Sequence, residues 1–286
     1  MNFKHTHISV LNLKLKKTRL FRRLWLVMVL TGITFVGFSQ TDNPDPRNTV
    51  PLVTDRPDAT EAPSTVAPGI LQVETGGFYE SFESNNVKQE TFVFNTTLLR
   101  LGLLDNVELR LGWDFVEGQT SINGNTLDNV TSGFNPLLLG TKVNITEAKG
   151  LLPEIGLIGH LYLPFTASKD YRPETTGVDF RFSFSHDLSE KSNVSYNLGA
   201  QWRNDSPEAA YIYTLAYGYS ITSTFGAYVE IYGDFPEDSK ANHLWDAGLT
   251  YLVSNDIQLD ATVGRSFTEG QDILLSAGVS FRFPTF

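Results

Sequence analysis

The sequence contains no cysteine, and its two methionines, Met1 and Met28, both lie near the N-terminus. Without cysteine the chain cannot form a disulfide scaffold, a thiolate metal site or a thiol nucleophile. Basic residues are also scarce, with 22 Lys and Arg against 32 Asp and Glu and a net charge of −10. Because a nucleic-acid binder needs a basic surface to neutralise phosphates, this composition argues against that class of function.

The few basic residues are concentrated at the N-terminus, where residues 1–39 hold seven of them and no acidic residue. An apolar run from Leu24 to Gly37 follows the basic stretch, with a further small residue at Ser39. This run is shorter than the about 20 residues that a membrane-spanning helix needs. The pattern predicts a secretory signal peptide over residues 1–39, cleaved after Ser39. The alternative is an uncleaved N-terminal anchor.

From Ile70 onward, apolar and polar residues alternate almost without interruption. Between Val107 and Phe115, for example, the odd positions are apolar and the even positions include Glu108, Arg110 and Asp114. A period of two predicts β-strands with one apolar and one polar face. No window after the predicted signal peptide shows a convincing helical stripe, so the sequence predicts an all-β chain.

The spacing of this alternation predicts about twelve strands, whose lengths suit the about 9–11 residues that a tilted strand needs to cross a bilayer. Short connections alternate with mostly longer polar ones, such as residues 118–133 and 164–176. This layout is typical of an antiparallel up-and-down β-barrel of the bacterial outer membrane, with both chain ends in the periplasm. Residues 70–286 are therefore predicted to form a transmembrane β-barrel.

Aromatic residues support the membrane interpretation, because they fall at both ends of the predicted strands, as membrane interfaces require. Those beside the longer loops are Trp113, Phe115, Trp202, Tyr211, Phe235 and Trp245, and those beside the short turns are Tyr196, Tyr219, Phe225, Tyr251 and Phe281. The alternative is a soluble β-sandwich in which these rings fill the core.

Residues 40–69 contain six prolines, which exclude a regular helix or a central strand. The sequence predicts an extended N-terminal segment on the periplasmic side. Two interpretations stay open: a plug in the barrel, with Arg56 paired to a lumen acid such as Glu74, or a mobile tail.

Residues Thr54, Asp55, Arg56, Pro57 and Asp58 begin a stretch that carries a family resemblance. Together with residues 59–63, 69–76, 142–150, 153–156 and 161–164, they resemble the MetA-pathway of phenol degradation family. The resemblance implies an outer-membrane barrel with an uptake role and a connection to aromatic compounds. It supplies no catalytic residues.

The polar faces of the predicted strands supply the candidate channel lining. Its members are Arg100, Glu108, Arg110, Asp114, Lys142, Glu154, His160, Asp179, Arg181 and Arg203. Our hypothesis is that the arginines and Lys142 form a basic ladder at a constriction, with the acidic residues opposite. The alternative is that charges of both signs pair and fill the lumen, because small barrels are packed by their own side chains.

No catalytic, metal or cofactor site is predicted. Ser185, His186 and Asp187 are adjacent, but neighbouring strand residues point to opposite faces and cannot form a catalytic triad among themselves. Neither a Gly-x-Ser-x-Gly nor a His-Glu-x-x-His motif occurs. An enzyme acting on lipid or peptide remains the less favoured alternative.

The predicted function is passive uptake of small molecules, with aromatic or hydrophobic compounds among the candidates, and the other alternative is a closed structural or interaction barrel. The predicted partners are outer-membrane lipid, a small-molecule solute and the barrel assembly machinery, which would recognise the aromatic end of the last strand at Phe281 and Phe283. The barrel is predicted to be monomeric.

Overall fold

The computed structural model describes residues 50–267 and 270–285. The predicted signal peptide, residues 1–39, and the first ten residues of the predicted N-terminal segment lie outside the described residues. No helix in the described ranges is long and apolar enough to span a membrane.

The described chain is built almost entirely of β-strands. In chain order they are β1 (Ile70–Ser84), β2 (Val87–Leu104), β3 (Val107–Ile122), β4 (Asn125–Thr126), β5 (Thr131–Phe134), β6 (Leu137–Thr146), β7 (Glu154–Leu163), β8 (Gly177–Ser189), β9 (Ser192–Trp202), β10 (Ala209–Ser220), β11 (Phe225–Pro236), β12 (Asn242–Ser254), β13 (Ile257–Ser266) and β14 (Gln271–Pro284). Twelve of them are long, and they match the predicted strands to within a few residues at each end. The sequence does not predict the short strands β4 and β5. They pair with the C-terminal part of β3 and extend the wall at the rim where β3 ends.

The twelve long strands form one closed antiparallel sheet. Each strand pairs with its neighbours, and the barrel closes where β1 pairs with both β14 and β2. This closure confirms the predicted barrel and excludes the β-sandwich. The turns after β2, β6, β8, β10 and β12 all leave from the rim where β1 begins and β14 ends, which we call the short-turn rim, and the opposite rim is the long-loop rim.

One connection at the long-loop rim is shorter than predicted. Only Asn85 and Asn86 separate β1 from β2, and both have positive φ angles, 51° and 63°. This is the backbone shape of the two-residue hairpin turns whose twist matches that of the strands. Asparagine tolerates this conformation better than most residues.

The alternation along each strand separates an apolar outer face from a polar inner face. The outer face exposes large apolar side chains, including Leu215, Val229 and Leu249. The inner face buries charged and polar side chains, including Glu108 and Lys142. A soluble protein has the opposite arrangement, so this distribution is that of a barrel whose outer wall faces lipid. The predicted aromatic residues also lie on the outer-face parity, near both rims.

Candidate functional site

Residues 50–69, which we call the N-terminal segment, lie against the inner wall of the barrel. They contain no helix and no strand, so their backbone N–H groups need partners from elsewhere. The inner wall supplies them: Asp55 donates to the Glu74 carboxylate at 3.0 Å, Glu61 to the Asn197 side chain at 2.8 Å, and Val66 to Glu108 at 2.8 Å.

These contacts reach strands all around the barrel. The backbone N–H of Ala59 donates to Glu230 on β11 at 2.8 Å. Leu52 donates to the carbonyl of Asn255 in the turn before β13, and Gly69 donates to Gly102 on β2. The partners therefore lie on both sides of the lumen, and the N-terminal segment spans the half of the barrel nearer the short-turn rim.

A buried ionic cluster fixes Asp55 on one side of the lumen. Lys142 Nζ lies 2.8 Å from Asp55 Oδ1, and Arg110 Nη1 lies 2.7 Å from Asp55 Oδ2. Arg100 Nη1 is 3.3 Å from the same carboxylate and also pairs with Glu74 and Glu108 at 2.9 and 2.8 Å. We call these six side chains the β2–β3–β6 cluster; all of them are buried.

The cluster controls the ionisation of Asp55. Burial alone would raise the pKa of the Asp55 carboxyl, but the charges of Arg100, Lys142 and Arg110 outweigh this effect. They hold the pKa well below its ordinary value of 3.8. Asp55 is therefore a carboxylate throughout the physiological pH range.

Glu61 extends the ionic contacts toward the next strands. Its carboxylate lies 2.8 Å from Arg110 and 3.6 Å from Arg181 on β8. Asp179, two residues before Arg181, accepts from Tyr162 at 2.7 Å and lies 3.1 Å from His160 Nδ1. Glu61 was not predicted from sequence, because nothing in its local pattern indicates a position opposite two strand arginines.

Arg56 points to the other side of the barrel. It bonds Asp260 on β13 at 2.9 and 3.2 Å and Ser276 on β14 at 3.2 Å. Arg56 thus pairs with a lumen acid, as expected, but the acid is Asp260 and not Glu74, because Glu74 is taken by Arg100 and by the backbone of Asp55. Neighbouring residues of an extended chain point in opposite directions, so Arg56 faces away from the cluster that holds Asp55.

Two glycines leave room for the Arg56 guanidinium. A Cβ added at Gly278 would lie 2.4 Å from Arg56 Nη2, and one at Gly76 would lie 2.8 Å from the same atom. These glycines face each other across β1 and β14. A side chain at either position would occupy the volume that the guanidinium fills.

We therefore expect Gly278→Ala to displace Arg56 and loosen the N-terminal segment. The chain has no cysteine, so a single cysteine at Val66, which is 6% exposed, reports release of the segment through its rate of thiol labelling. Labelling should rise several-fold in Gly278→Ala. Gly112→Ala is the matched control, because a Cβ there meets its nearest atoms at 3.4 Å, an ordinary contact distance. Equal labelling of the two variants would contradict a positioning role for Gly278.

The remaining predicted lining residues lie apart from these clusters. Asp114 is on the inner face of β3, nearer the long-loop rim, and Glu154 begins β7 at the short-turn rim and bonds Asn144 at 2.7 Å. Arg203 lies beyond the end of β9, is 58% exposed and pairs with Asp234. Thus the structure brings Arg100, Glu108, Arg110 and Lys142 together and leaves these three outside.

Cavities remain on both sides of the N-terminal segment. A cavity of 360 Å³ at the short-turn rim is lined by Thr54, Arg56, Asp58 and by β8 to β13 residues such as Tyr228. On the other side, cavities of 290 and 360 Å³ share Tyr162 and Asn204 in their walls. Neither the wall side chains nor the segment fills the lumen completely.

No set of three His, Asp or Glu side chains in residues 50–267 and 270–285 has the geometry of a metal site. His186 faces outward and stacks on Tyr196, with ring centroids 5.9 Å apart. Ser185 and Asp187 have inward parity and so point away from it. The three adjacent residues therefore form no triad.

Comparisons with known proteins identify both a family and a fold. A family model described as "Putative MetA-pathway of phenol degradation" matches residues 54–283. The structure is similar to an outer membrane channel from Pseudomonas putida F1, with a TM-score of 0.60 and 15% identity, over 80% of this chain and 100% of that one. It also matches the translocator domain of the autotransporter NalP from Neisseria meningitidis, with a TM-score of 0.49 and 9% identity, over 76% and 89%. No curated protein sequence matches this chain significantly. At these identities the structural matches show the fold alone.

Proposed function

This chain belongs to the MetA-pathway of phenol degradation family, and from that premise we propose that it is an outer-membrane channel for passive uptake of small molecules. The apolar outer face and polar inner face of its closed barrel support this localisation. The proposed partners are outer-membrane lipid and a small solute. We further propose that it works as a monomer and is inserted by the barrel assembly machinery.

The observation that carries the proposal is a lumen larger than its wall side chains can fill. Barrels of about eight strands are packed by side chains, whereas open porins have about 16–18 strands. This barrel has twelve long strands, part of its interior is occupied by a separate segment, and cavities lie both beside that segment and nearer the long-loop rim. A route for small solutes beside the segment is consistent with this arrangement.

We propose that the N-terminal segment is a plug that narrows this route. On the side of β2, β3 and β6 the lumen is closed by Asp55 and its three basic partners. On the side of β9 to β13 the segment also contacts the wall, at Asn197, Glu230 and Asp260, but the 360 Å³ cavity leaves space beside it at the short-turn rim. The predicted basic ladder therefore has a different proposed role, because its inner members bind the plug and are not free to attract anions.

A catalytic role is not part of the proposal. The Asp179 carboxylate contacts the His160 ring and accepts a hydrogen bond from the Tyr162 hydroxyl, and His186 lies on the outer face. Neither arrangement includes a nucleophile with an adjacent base, the pattern that lipid or peptide hydrolysis requires. The family's link with phenolic compounds makes neutral aromatic molecules the first solutes to test.

Liposome swelling tests the proposal directly. Liposomes containing the protein should swell in isotonic solutions of small neutral solutes, including phenol-sized aromatics and small sugars, faster than liposomes without protein. The rate should fall with solute size, because a passive channel discriminates mainly by diameter and lining. An absence of swelling with every solute, from a barrel that still shows heat-modifiable migration on a gel, would favour the closed structural barrel instead.

A further inference from the structure

Three carboxyl groups meet where the N-terminal segment passes β11 and β12, on the side of the barrel away from the β2–β3–β6 cluster. We call Asp58, Glu230 and Asp246 the acidic trio. Glu230 and Asp246 are directly opposite each other in the sheet, which places their Cβ atoms about 4.5–5.5 Å apart. The backbone N–H of Ala59 donates to Glu230 at 2.8 Å, so the preceding residue, Asp58, lies beside the same pair.

The acidic trio lacks positive partners. Across the described ranges, no Lys, Arg or His side chain forms an ion pair with any of its members, whereas Asp55 has three basic partners on the opposite side. Asp246 is 2% exposed, and its Oδ1 atom has no hydrogen-bond partner among the described residues. Burial and the charge of Glu230 raise the pKa of Asp58 well above its ordinary value.

Buried acids in this state need a counter-charge. An unpaired buried carboxylate is costly, so it either takes up a proton or attracts a cation. Adjacent like charges make the first proton or cation more favourable still. The trio therefore binds a proton or a cation, because the described part of the protein supplies no basic partner for it.

The cavity at the short-turn rim reaches one member of the trio, Asp58, while Glu230 and Asp246 are buried beside it. Asp58 and Tyr228 line it, and Tyr228 precedes Glu230 by one position on the inner face of β11. The rest of its wall includes small residues such as Gly218, Gly226 and Ala227. Hydrated ions that enter from this rim can thus reach Asp58, which lies beside Glu230 and Asp246.

We propose that the acidic trio is a cation-binding constriction on the permeation route and makes the channel prefer small monovalent cations and neutral solutes over anions. This inference rests on the proposed function. Weak binding suits conduction, because an ion must leave the site as readily as it enters. It also agrees with the lack, in the described part of the chain, of three acids placed to coordinate one metal ion directly.

Planar bilayer recordings in a KCl gradient test the inference. The wild-type channel should show a reversal potential whose sign indicates that K⁺ is more permeant than Cl⁻. Asp246→Asn should lower the K⁺ to Cl⁻ permeability ratio several-fold. This variant removes one acid from the trio and leaves the segment's hydrogen bonds to Glu230 in place. Glu154→Gln is the matched control, because Glu154 is also an inner-face acid but lies at the rim of β7, beside the side that the segment fills.

The outcomes separate the inference from the proposed function. Currents without cation preference, or an Asp246→Asn channel as selective as the wild type, would overturn the acidic constriction while the channel itself stands. A barrel that carries no current and allows no swelling would overturn both. Selectivity lost equally in Glu154→Gln would show that the overall lumen charge, and not the trio, sets the preference.

Discussion

Deleting residues 50–66 is expected to raise the single-channel conductance several-fold. The deletion removes the chain that spans the short-turn half of the lumen. The cavity at the short-turn rim is then joined to the cavities nearer the long-loop rim. It also removes three acids, Asp55, Asp58 and Glu61, and one base, Arg56. The wider lumen then exposes Arg100, Arg110 and Lys142, so its ion preference should shift toward anions.

A deletion outside the lumen provides the control. Residues 238–240 are exposed in the loop between β11 and β12, and their removal should leave the conductance unchanged. Both variants must show the heat-modifiable migration of a folded barrel. If the 50–66 deletion folds and conducts no better than the wild type, the N-terminal segment does not limit the permeation route.

Replacing one carboxylate, Asp55→Asn, should release the segment and destabilise the folded protein by about 3–5 kcal/mol, the usual cost of breaking a buried ion pair on one side. The substitution keeps the shape of the side chain but leaves Arg100, Arg110 and Lys142 with one acid fewer. Denaturant unfolding in detergent measures the loss, and thiol labelling of a cysteine at Val66 measures the release.

The matched control is Asp256→Asn. Asp256 also pairs with an arginine, Arg282, at 2.8 Å, but its side chain is 37% exposed at the short-turn rim. Surface pairs contribute about 0–1 kcal/mol, so this variant should unfold almost as the wild type does. Equal stability of both variants would show that the β2–β3–β6 cluster does not hold the segment.

The same contacts predict how docking of the segment depends on pH. The pKa of Asp55 is lower in the folded protein than its ordinary 3.8, because the three basic residues outweigh the effect of burial. Its stabilising contribution is therefore complete above pH 3.8 and is lost as the pH falls through the lowered pKa. Because a protonated thiol reacts slowly, labelling at residue 66 is compared with that of a free thiol at the same pH; this ratio should stay low at neutral pH and rise only in this acid range.

The sequence predicts the barrel well because the alternation of apolar and polar residues that indicates it lies within each strand. Alternation along Val107–Phe115 places Glu108 and Arg110 on one face whatever the rest of the chain does, and the structure has them on the inner face. The strands β4 and β5 escape prediction because they lie in a loop rich in Gly, Asn and Thr without a period of two. They form because the C-terminal part of β3 offers an unpaired edge.

The site is less predictable because its partners are distant in sequence. Alternation places Arg110 on the inner face, but it does not show that Asp55 and Glu61 neutralise it. Arg56 bonds Asp260, which lies 204 residues later, and Glu74, the partner expected nearby, is occupied by Arg100. The cavity beside Asp58 depends on the path of the segment, which no residue pattern specifies.

The spread of the segment's contacts also dictates when it can take its place during biogenesis. The segment precedes β1 in the chain, yet Ala59 needs Glu230 on β11, Arg56 needs Asp260 on β13, and Thr285 closes onto Gly69. Its binding surface therefore exists only after the last strands have been added. A truncated or misregistered barrel lacks some of these partners, so the docked segment marks a barrel whose assembly is complete.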